Sequence, residues 1–408
     1  MGRLLDVQKI RKDFPILDTG IIYLDNTASS LTPEPVIDKM NEYYRQYRAN
    51  VERAVHRLSQ KASEEYEAAH AKVAEFINAR SDKEIIMTRN TTEGMNIVAA
   101  GLDFKKGDKI VTTLVEHHSN FIVWLRLKKR LGVEIEIVRP NKNGLFELAE
   151  FEKAIDDSTK LVSTTHISNV LGVILPVKEI SSIAHDHGAL VSIDGAQSVP
   201  HVEVDVKRIG CDFLAFSGHK MCGPTGSGAL YVKEELANQL EPLMIGGGSI
   251  EDVGVDYYKL ARSPQRFEAG TPAVAEAIGL GAAVDYLRKI GIRNIEIGER
   301  VLTDRMYHGL KNVPNIEIYG PDPRDRIGII PFNVGKLNPH DVALALDVTA
   351  NVMVRSGHHC ALPLAKELLG KENGTVRAST YFYNTIEELD SFIHAVGEIS
   401  KSFASATV

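Results

Sequence analysis

Residues 212–220 read DFLAFSGHK. The first part is almost wholly apolar, so it predicts a strand covered on both faces. The chain then turns abruptly polar and leaves Lys220 just past the strand's end. Short strand-like runs recur at 84–88 (EIIMT), 109–114 (KIVTTL), 133–138 (VEIEIV), 160–165 (KLVSTT), 189–193 (ALVSI) and 228–232 (GALYV). Helical patterns separate many of them, for example at 119–131 and 177–187. Such alternation predicts an α/β fold, with a mainly parallel seven-stranded sheet flanked by helices. The runs at 212–217 and 228–232 lie close together, so an antiparallel pair is expected at one edge.

Nearer the N-terminus, residues 59–80 put Ala62, Tyr66, Ala69, Val73, Phe76 and Ile77 on one helical stripe. Acids crowd its start, which suits a helix dipole. Residues 45–59 (RQYRANVERAVHRLS) read as a polar loop before it. After about residue 285 the regular alternation stops. Helices are expected at 275–290, 293–312, 339–347 and 386–403, and strands at 315–320, 328–334 and 375–380. This predicts a smaller α+β domain over 286–408, a large domain over 21–285, and an N-terminal segment, 1–20, packing with the small domain.

The chain has 408 residues, 44% hydrophobic and 25% charged, enough for about two domains. Lys and Arg total 47 against 54 Asp and Glu, a net charge of −7, which gives no electrostatic case for nucleic acid or an anionic membrane. No apolar run approaches the roughly 20 residues of a membrane helix. The opening 20 residues carry acids and do not read as a secretory signal. Cys211, Cys222 and Cys360 are an odd, sparse set, which argues against a disulfide framework and for a reducing cytosol.

In an open α/β sheet, ligands bind beyond the carboxyl ends of the strands. Four polar stretches sit there. RNTTEGMN (89–96) offers Thr91, Thr92 and a helix start to a phosphate, although a plain N-cap would look the same. EHHSN (116–120) offers an imidazole to stack on a flat ring, or a surface histidine. SIDGAQ (192–197) ends a strand in Asp194, a carboxylate for a protonated ring nitrogen or for a helix cap. SGHK (217–220) offers Lys220, whose amine becomes an imine-forming nucleophile if desolvated and is otherwise merely solvated. Together these are the parts that hold pyridoxal phosphate.

With these parts go DFPIL, YLDNTASS, THISNVLG, GPTGSG, RFEAGTP, RSGHHCALP (355–363) and VRAS. The chain thus resembles the SufS-type (group II) cysteine desulfurases, of the class V aminotransferase family of fold-type I pyridoxal-phosphate enzymes. The resemblance implies that Lys220 attaches the cofactor, Asp194 pairs with its ring nitrogen, Gln197 contacts its phenolic oxygen and His117 stacks on it. It implies Thr91, Thr92, Ser217 and His219 for the phosphate, with Thr271 supplied by the other subunit of a homodimer. Asn169 and Arg377 would fix the substrate carboxylate, with Arg355 close by. Cys360 would take the substrate's sulfur as a persulfide, its thiol made acidic by a flanking histidine and Arg355. Cys211 and Cys222 are read as structural. A metal reading of His358, His359 and Cys360 lacks a fourth ligand, and no metal is expected.

The activity implied is conversion of L-cysteine to L-alanine for iron–sulfur cluster assembly, in the cytoplasm, with an acceptor of the SufU, SufE or SufBCD type. L-Selenocysteine, or another class V reaction, is the alternative. The chain departs from the family's pattern at Glu52, where histidine is frequent, although Arg53 and His56 match. Asn90 stands where glycine is usual, and the segment before RSGHHC is about one residue longer. His340 resembles the position that, in some relatives, takes zinc from a SufU-type acceptor.

Overall fold

The computed structural model describes residues 5–52 and 54–406, with side chains to Ser402; Arg53 lies outside the described residues. The seven expected runs form one sheet: β1 (Ile85–Thr88), β2 (Lys109–Thr113), β3 (Glu134–Val138), β4 (Thr159–Thr165), β5 (Leu190–Asp194), β6 (Phe213–Ser217) and β7 (Gly228–Val232). Their order is β1-β7-β6-β5-β4-β2-β3. Strands β2 to β6 run parallel, while β7 is antiparallel to both its neighbours. The antiparallel strand is therefore one place in from the edge, because β1 caps it. A short return from β6 dictates the reversed direction, but only tertiary pairing brings β1 there. Every residue of β6 and β7 is buried. Edge strand β3 instead alternates, with Glu134 and Glu136 exposed.

Register gathers the strand ends on one rim. Thr165 pairs with Asp194, Ser217 with Gly228, and Gly228 with Thr88. A Cβ on Gly228 would lie 2.5 Å from the Phe216 carbonyl and 2.9 Å from Asn90 Cα, so only glycine lets the 89–92 loop close over the end of β6.

The long helix α1 (Arg57–Phe76) buries Ala62, Tyr66, Ala69 and Val73 of the predicted stripe but begins and ends earlier than expected. The acids thus fall outside its first turn; the start is capped by His56, whose Nδ1 accepts the Ser59 N–H at 3.3 Å. Part of the expected 45–59 loop is helical too: a turn over Tyr43–Tyr47 extends the preceding helix because both tyrosines are buried. Helix α2 (Thr91–Gly101) opens from β1 at the rim, and α3 (Val274–Ile290) and α4 (Ile292–Lys311) lead away from the sheet.

A second sheet is built from β8 (Ile316–Ile318), β9 (Ile329–Val334), β10 (Arg355–Gly357) and β11 (Thr375–Ser379), in the antiparallel order β8-β9-β11-β10, beside α5 (Pro339–Ala350) and α6 (Ile386–Ala406). Strand β10 falls where the sequence predicts only a polar turn. Three polar or glycine residues carry no strand signal, and the pairing exists because β11 offers a partner edge. Phe14, fully buried, packs on Tyr286, Phe382 and Tyr383, with ring centroids 6.0, 6.1 and 4.7 Å away. Its burial contributes about 2 kcal/mol. Ile22–Tyr23 pairs in parallel with Val352–Met353, and Asp25 bridges to Ser379. Among the described residues, no helix is long and apolar enough to cross a membrane.

Candidate active site

A cavity of about 350 Å³ opens at the carboxyl rim, between the large sheet and the Arg355–Arg377 strand pair. Its wall includes Thr91, Thr92, His117, Asn169, Asp194, Gln197, Ser217, His219, Lys220, Arg355, Cys360 and Arg377. They come from segments far apart in sequence, and the topology brings those segments together.

Lys220 ends the single turn Gly218–Lys220 that follows β6. Part of the side chain faces the cavity, but the amine is deep enough that desolvation lowers its pKa to about 8. Arg377 pushes in the same direction, while Asp194 opposes. Asp194, at the end of β5, accepts the Ala196 N–H at 2.9 Å. Burial holds its carboxyl above the usual range. Gln197 donates to the Thr27 carbonyl at 2.8 Å, which leaves its own carbonyl oxygen buried without a partner in the cavity wall.

Hydroxyls cluster where α2 begins. Thr91 Oγ1 lies 2.7 Å from Ser217 Oγ, and its N–H donates to the same oxygen at 2.9 Å. Thr92 Oγ1 lies 2.7 Å from Ser119 Oγ. Asn90 is extended (φ −179°) and accepts the Glu93 N–H at 3.0 Å, so the residue in place of glycine serves as the N-cap. Nδ1 of His117 accepts the Ser119 N–H at 3.1 Å. Burial, and then the charge of Lys220, lower this imidazole to about 3, which keeps the ring neutral. His219 is lowered to about 4 by burial and Lys220.

The Cys360 loop is clamped by His118 and Asn169, which follow β2 and β4. The His118 N–H donates to the Cys360 carbonyl at 2.7 Å, and the Leu362 N–H donates to His118 Nε2 at 3.1 Å. The Asn169 amide donates to the His359 carbonyl at 2.8 Å. His359 and Cys360 both take left-handed backbone, at φ 53° and 56°. Two consecutive non-glycine residues in that region cost about 1–2 kcal/mol each, which the clamps offset. Cys360 itself is exposed, whereas Cys211 and Cys222 are buried. The cation expected from a flanking histidine is not supplied by His359: burial, Arg377 and Arg355 hold it well below its ordinary pKa. Its Nε2 pairs with Thr375 Oγ1 at 2.9 Å, and His358 Nε2 with the Glu372 carbonyl at 2.6 Å. Arg377 donates from Nη1 to the Asn169 carbonyl at 2.9 Å, while its Nε is buried without a partner.

This donor set fits pyridoxal phosphate. A desolvated amine, a buried carboxylate, a neutral flat ring, an orphaned amide oxygen and a hydroxyl cluster at a helix start line one volume.

A family model for class-V aminotransferases matches residues 22–392. The chain belongs to that family. Among relatives of this class-V aminotransferase family member, the "Probable cysteine desulfurase" of Pyrococcus abyssi is 52% identical, over 98% of this chain and 99% of that one. The apo cysteine desulfurase of Thermococcus onnurineus superposes with a TM-score of 0.94 at 49% identity, covering 98% of this chain and 100% of that structure. The cysteine desulfurase CsdA of Escherichia coli gives 0.90 at 32% identity, covering 97% and 98%.

Two positions singled out in the class-V sequence lie elsewhere on this chain. Thr271 is exposed and lines a separate cavity with Arg89 and Glu93. Glu52, left-handed at φ 71°, lines another cavity with His70 and Glu268. Sequence reasoning also missed two acids. Glu116 is buried behind His117, where it accepts from Thr113 Oγ1, the Thr165 N–H and Asn120 Nδ2 at 2.5, 2.9 and 2.7 Å. It thereby ties the end of β2 to that of β4. Burial still pushes its pKa up to about 8. Asp25 bonds both cavity arginines. Glu116 and Asp25 stand inside the motifs EHHSN and YLDNTASS, but nothing local tells their work from that of a surface acid.

Proposed function

We propose that the protein is a pyridoxal-phosphate-dependent cysteine desulfurase, converting L-cysteine to L-alanine and leaving the sulfur as a persulfide on Cys360. The observation that carries this reading is one cavity lined by a desolvated lysine amine, an arginine with an unpartnered Nε and an exposed thiol on a clamped loop. The names of the close relatives point the same way.

When bound, pyridoxal phosphate supplies an electron sink that acidifies the Cα–H of an attached amino acid. Asp194 would hold a proton on the ring nitrogen, and Gln197 would meet the phenolic oxygen. Thr91, Thr92, Ser217 and His219 would bind the phosphate, and the neutral His117 ring would cover one face. Arg377 would take the substrate carboxylate on its Nε edge, with Asn169 beside it. Nζ of Lys220 would remove the Cα proton. Sγ of Cys360, as thiolate, would attack the substrate sulfur. The S–S bond forms as the substrate's Cβ–S bond breaks, and that bond's electron pair stays with Cβ, which is protonated on the way to alanine. Protein loaded with the cofactor and given L-cysteine and a thiol reductant should release alanine and sulfide in equal amounts. No alanine above the protein-free control would reject the reading.

The lowered pKa of Lys220 predicts how the apoprotein takes up its cofactor. Neutral amine is the nucleophile, and about half of Lys220 is neutral at pH 8. The loading rate, followed by absorbance, should rise as pH rises through about 8 and then level off. A solvated lysine would give a midpoint of about 10.4. A midpoint near that value would show that the amine is not desolvated.

The protein is read further as SufS-type, homodimeric and cytoplasmic, passing sulfur to an acceptor of the SufU, SufE or SufBCD type for iron–sulfur clusters. Three free cysteines suit a reducing compartment. Exposed Met244, Ile245, Val253, Val255 and Tyr258 are apolar side chains that a second copy would cover. Such a copy would bring its Thr271 to this cavity. His340 is exposed and holds Ser356 Oγ at 2.9 Å, on the strand leading to Cys360. With a zinc-bearing SufU-type acceptor, His340→Ala should bring the ratio of stimulated to unstimulated alanine formation close to one. An unchanged ratio would remove His340 from the acceptor contact.

A further inference from the structure

Arg355 and Arg377 stand directly opposite each other on β10 and β11. Facing like charges across a strand pair repel. Asp25 lies between them: its Oδ2 is 2.7 Å from Arg355 Nη2, and its Oδ1 is 3.3 Å from Arg355 Nε and 3.5 Å from Arg377 Nη2. Arg355 is thus held at two nitrogens, while Arg377 is touched only at the edge of hydrogen-bonding range. The orphaned Nε of Arg377 is left for a ligand. Two cations and one anion leave a single positive charge, which one carboxylate neutralises.

Cys360 follows Arg355 on the same segment and lines the same cavity as Arg355, Arg377 and Lys220. On the desulfurase reading, the substrate's sulfur must reach Cys360, so its side-chain end lies towards Arg355. An unpaired Arg355 there would welcome an acidic side chain. We infer that Asp25 is a specificity determinant: by neutralising Arg355 it restricts the site to amino acids with one carboxylate and an uncharged side chain. This rests on the proposed amino-acid substrate.

L-Alanine and L-aspartate differ at the side-chain end by one carboxylate, and neither carries sulfur. Their affinities are measured by the absorbance of the bound cofactor and, independently, by calorimetry on cofactor-free protein. In Asp25→Asn, affinity for L-aspartate relative to L-alanine should rise about tenfold, or about 1.4 kcal/mol. The double variant Asp25→Asn/Arg355→Gln should lose that gain. An unchanged ratio, or an equal loss for both ligands, overturns the inference. Should Asp25→Asn fail to fold, Arg355→Gln carries the test alone: with the cation at the side-chain end removed and Asp25 left only its 3.5 Å contact to Arg377, relative L-aspartate affinity should fall by about tenfold, or about 1.4 kcal/mol, and an unchanged ratio again overturns it. Alanine formation from L-cysteine by the unmodified protein is measured alongside. Its absence rejects the desulfurase reading; its presence with an unchanged ratio rejects only the role of Asp25.

Discussion

Lys220→Ala is expected to lower alanine formation from L-cysteine by on the order of 10³-fold or more, as removal of a positioned general base does. His117, His219 and Asp194, which line the same cavity, are poor substitutes. His117, lowered to about 3, is too weak a base, and its Nδ1 already accepts the Ser119 N–H. His219, lowered to about 4, is held by Ser29 Oγ at 3.4 Å. Asp194 is turned to the Ala196 N–H. The fold should not suffer, because the substitution removes an amine whose desolvation opposes its charge. Thermal unfolding of the variant and of the unmodified protein, compared without cofactor, separates the two effects. A variant that keeps more than about a tenth of the rate would show that another group takes the Cα proton, since one decade is only about 1.4 kcal/mol of barrier.

Cys360→Ala should cut alanine formation from L-cysteine to a similar extent, on the order of 10³-fold, because the acceptor of the sulfur is gone. Alanine can take the same left-handed backbone at the same cost, and the clamps from His118 and Asn169 go to main-chain atoms. Loop geometry and cofactor uptake should therefore be unchanged. The same variant distinguishes the main alternative. Selenium leaves more readily and depends less on a thiol nucleophile, so a selenocysteine lyase would keep most of its selenide release. Full alanine formation from L-cysteine by Cys360→Ala would refute Cys360 as the nucleophile. A comparable loss on both substrates would instead favour a role in loop closure.

Much of the site is legible in the sequence because its residues come directly after strands. An apolar run that ends in a polar motif locates both the strand and its carboxyl end, so local pattern places Asp194, Ser217 and Lys220 on one rim. Thr91 and Thr92 give themselves away as a helix start after a strand. The motif RSGHHCALP carries Cys360 by resemblance rather than by periodicity, and its RSG segment gives no strand signal at all. Asn90 shows the limit of reading a substitution by analogy: the loss of glycine costs nothing at an extended backbone and adds a cap.

Most element types, the seven strands of the sheet and most of the residues that line the cavity could be read without any structure, because strand and helix periods and side-chain identities are local properties. Which charges meet could not. Asp25 joins Arg355 and Arg377 across 330 and 352 residues, which no spacing announces. Folding also put β7 inside the sheet, made β10 a strand through its partner β11, and kept His359 neutral by burying it beside two arginines. A pKa, a charge balance and a pairing edge each depend on what folding brings within a few ångströms, and that is set by the whole chain.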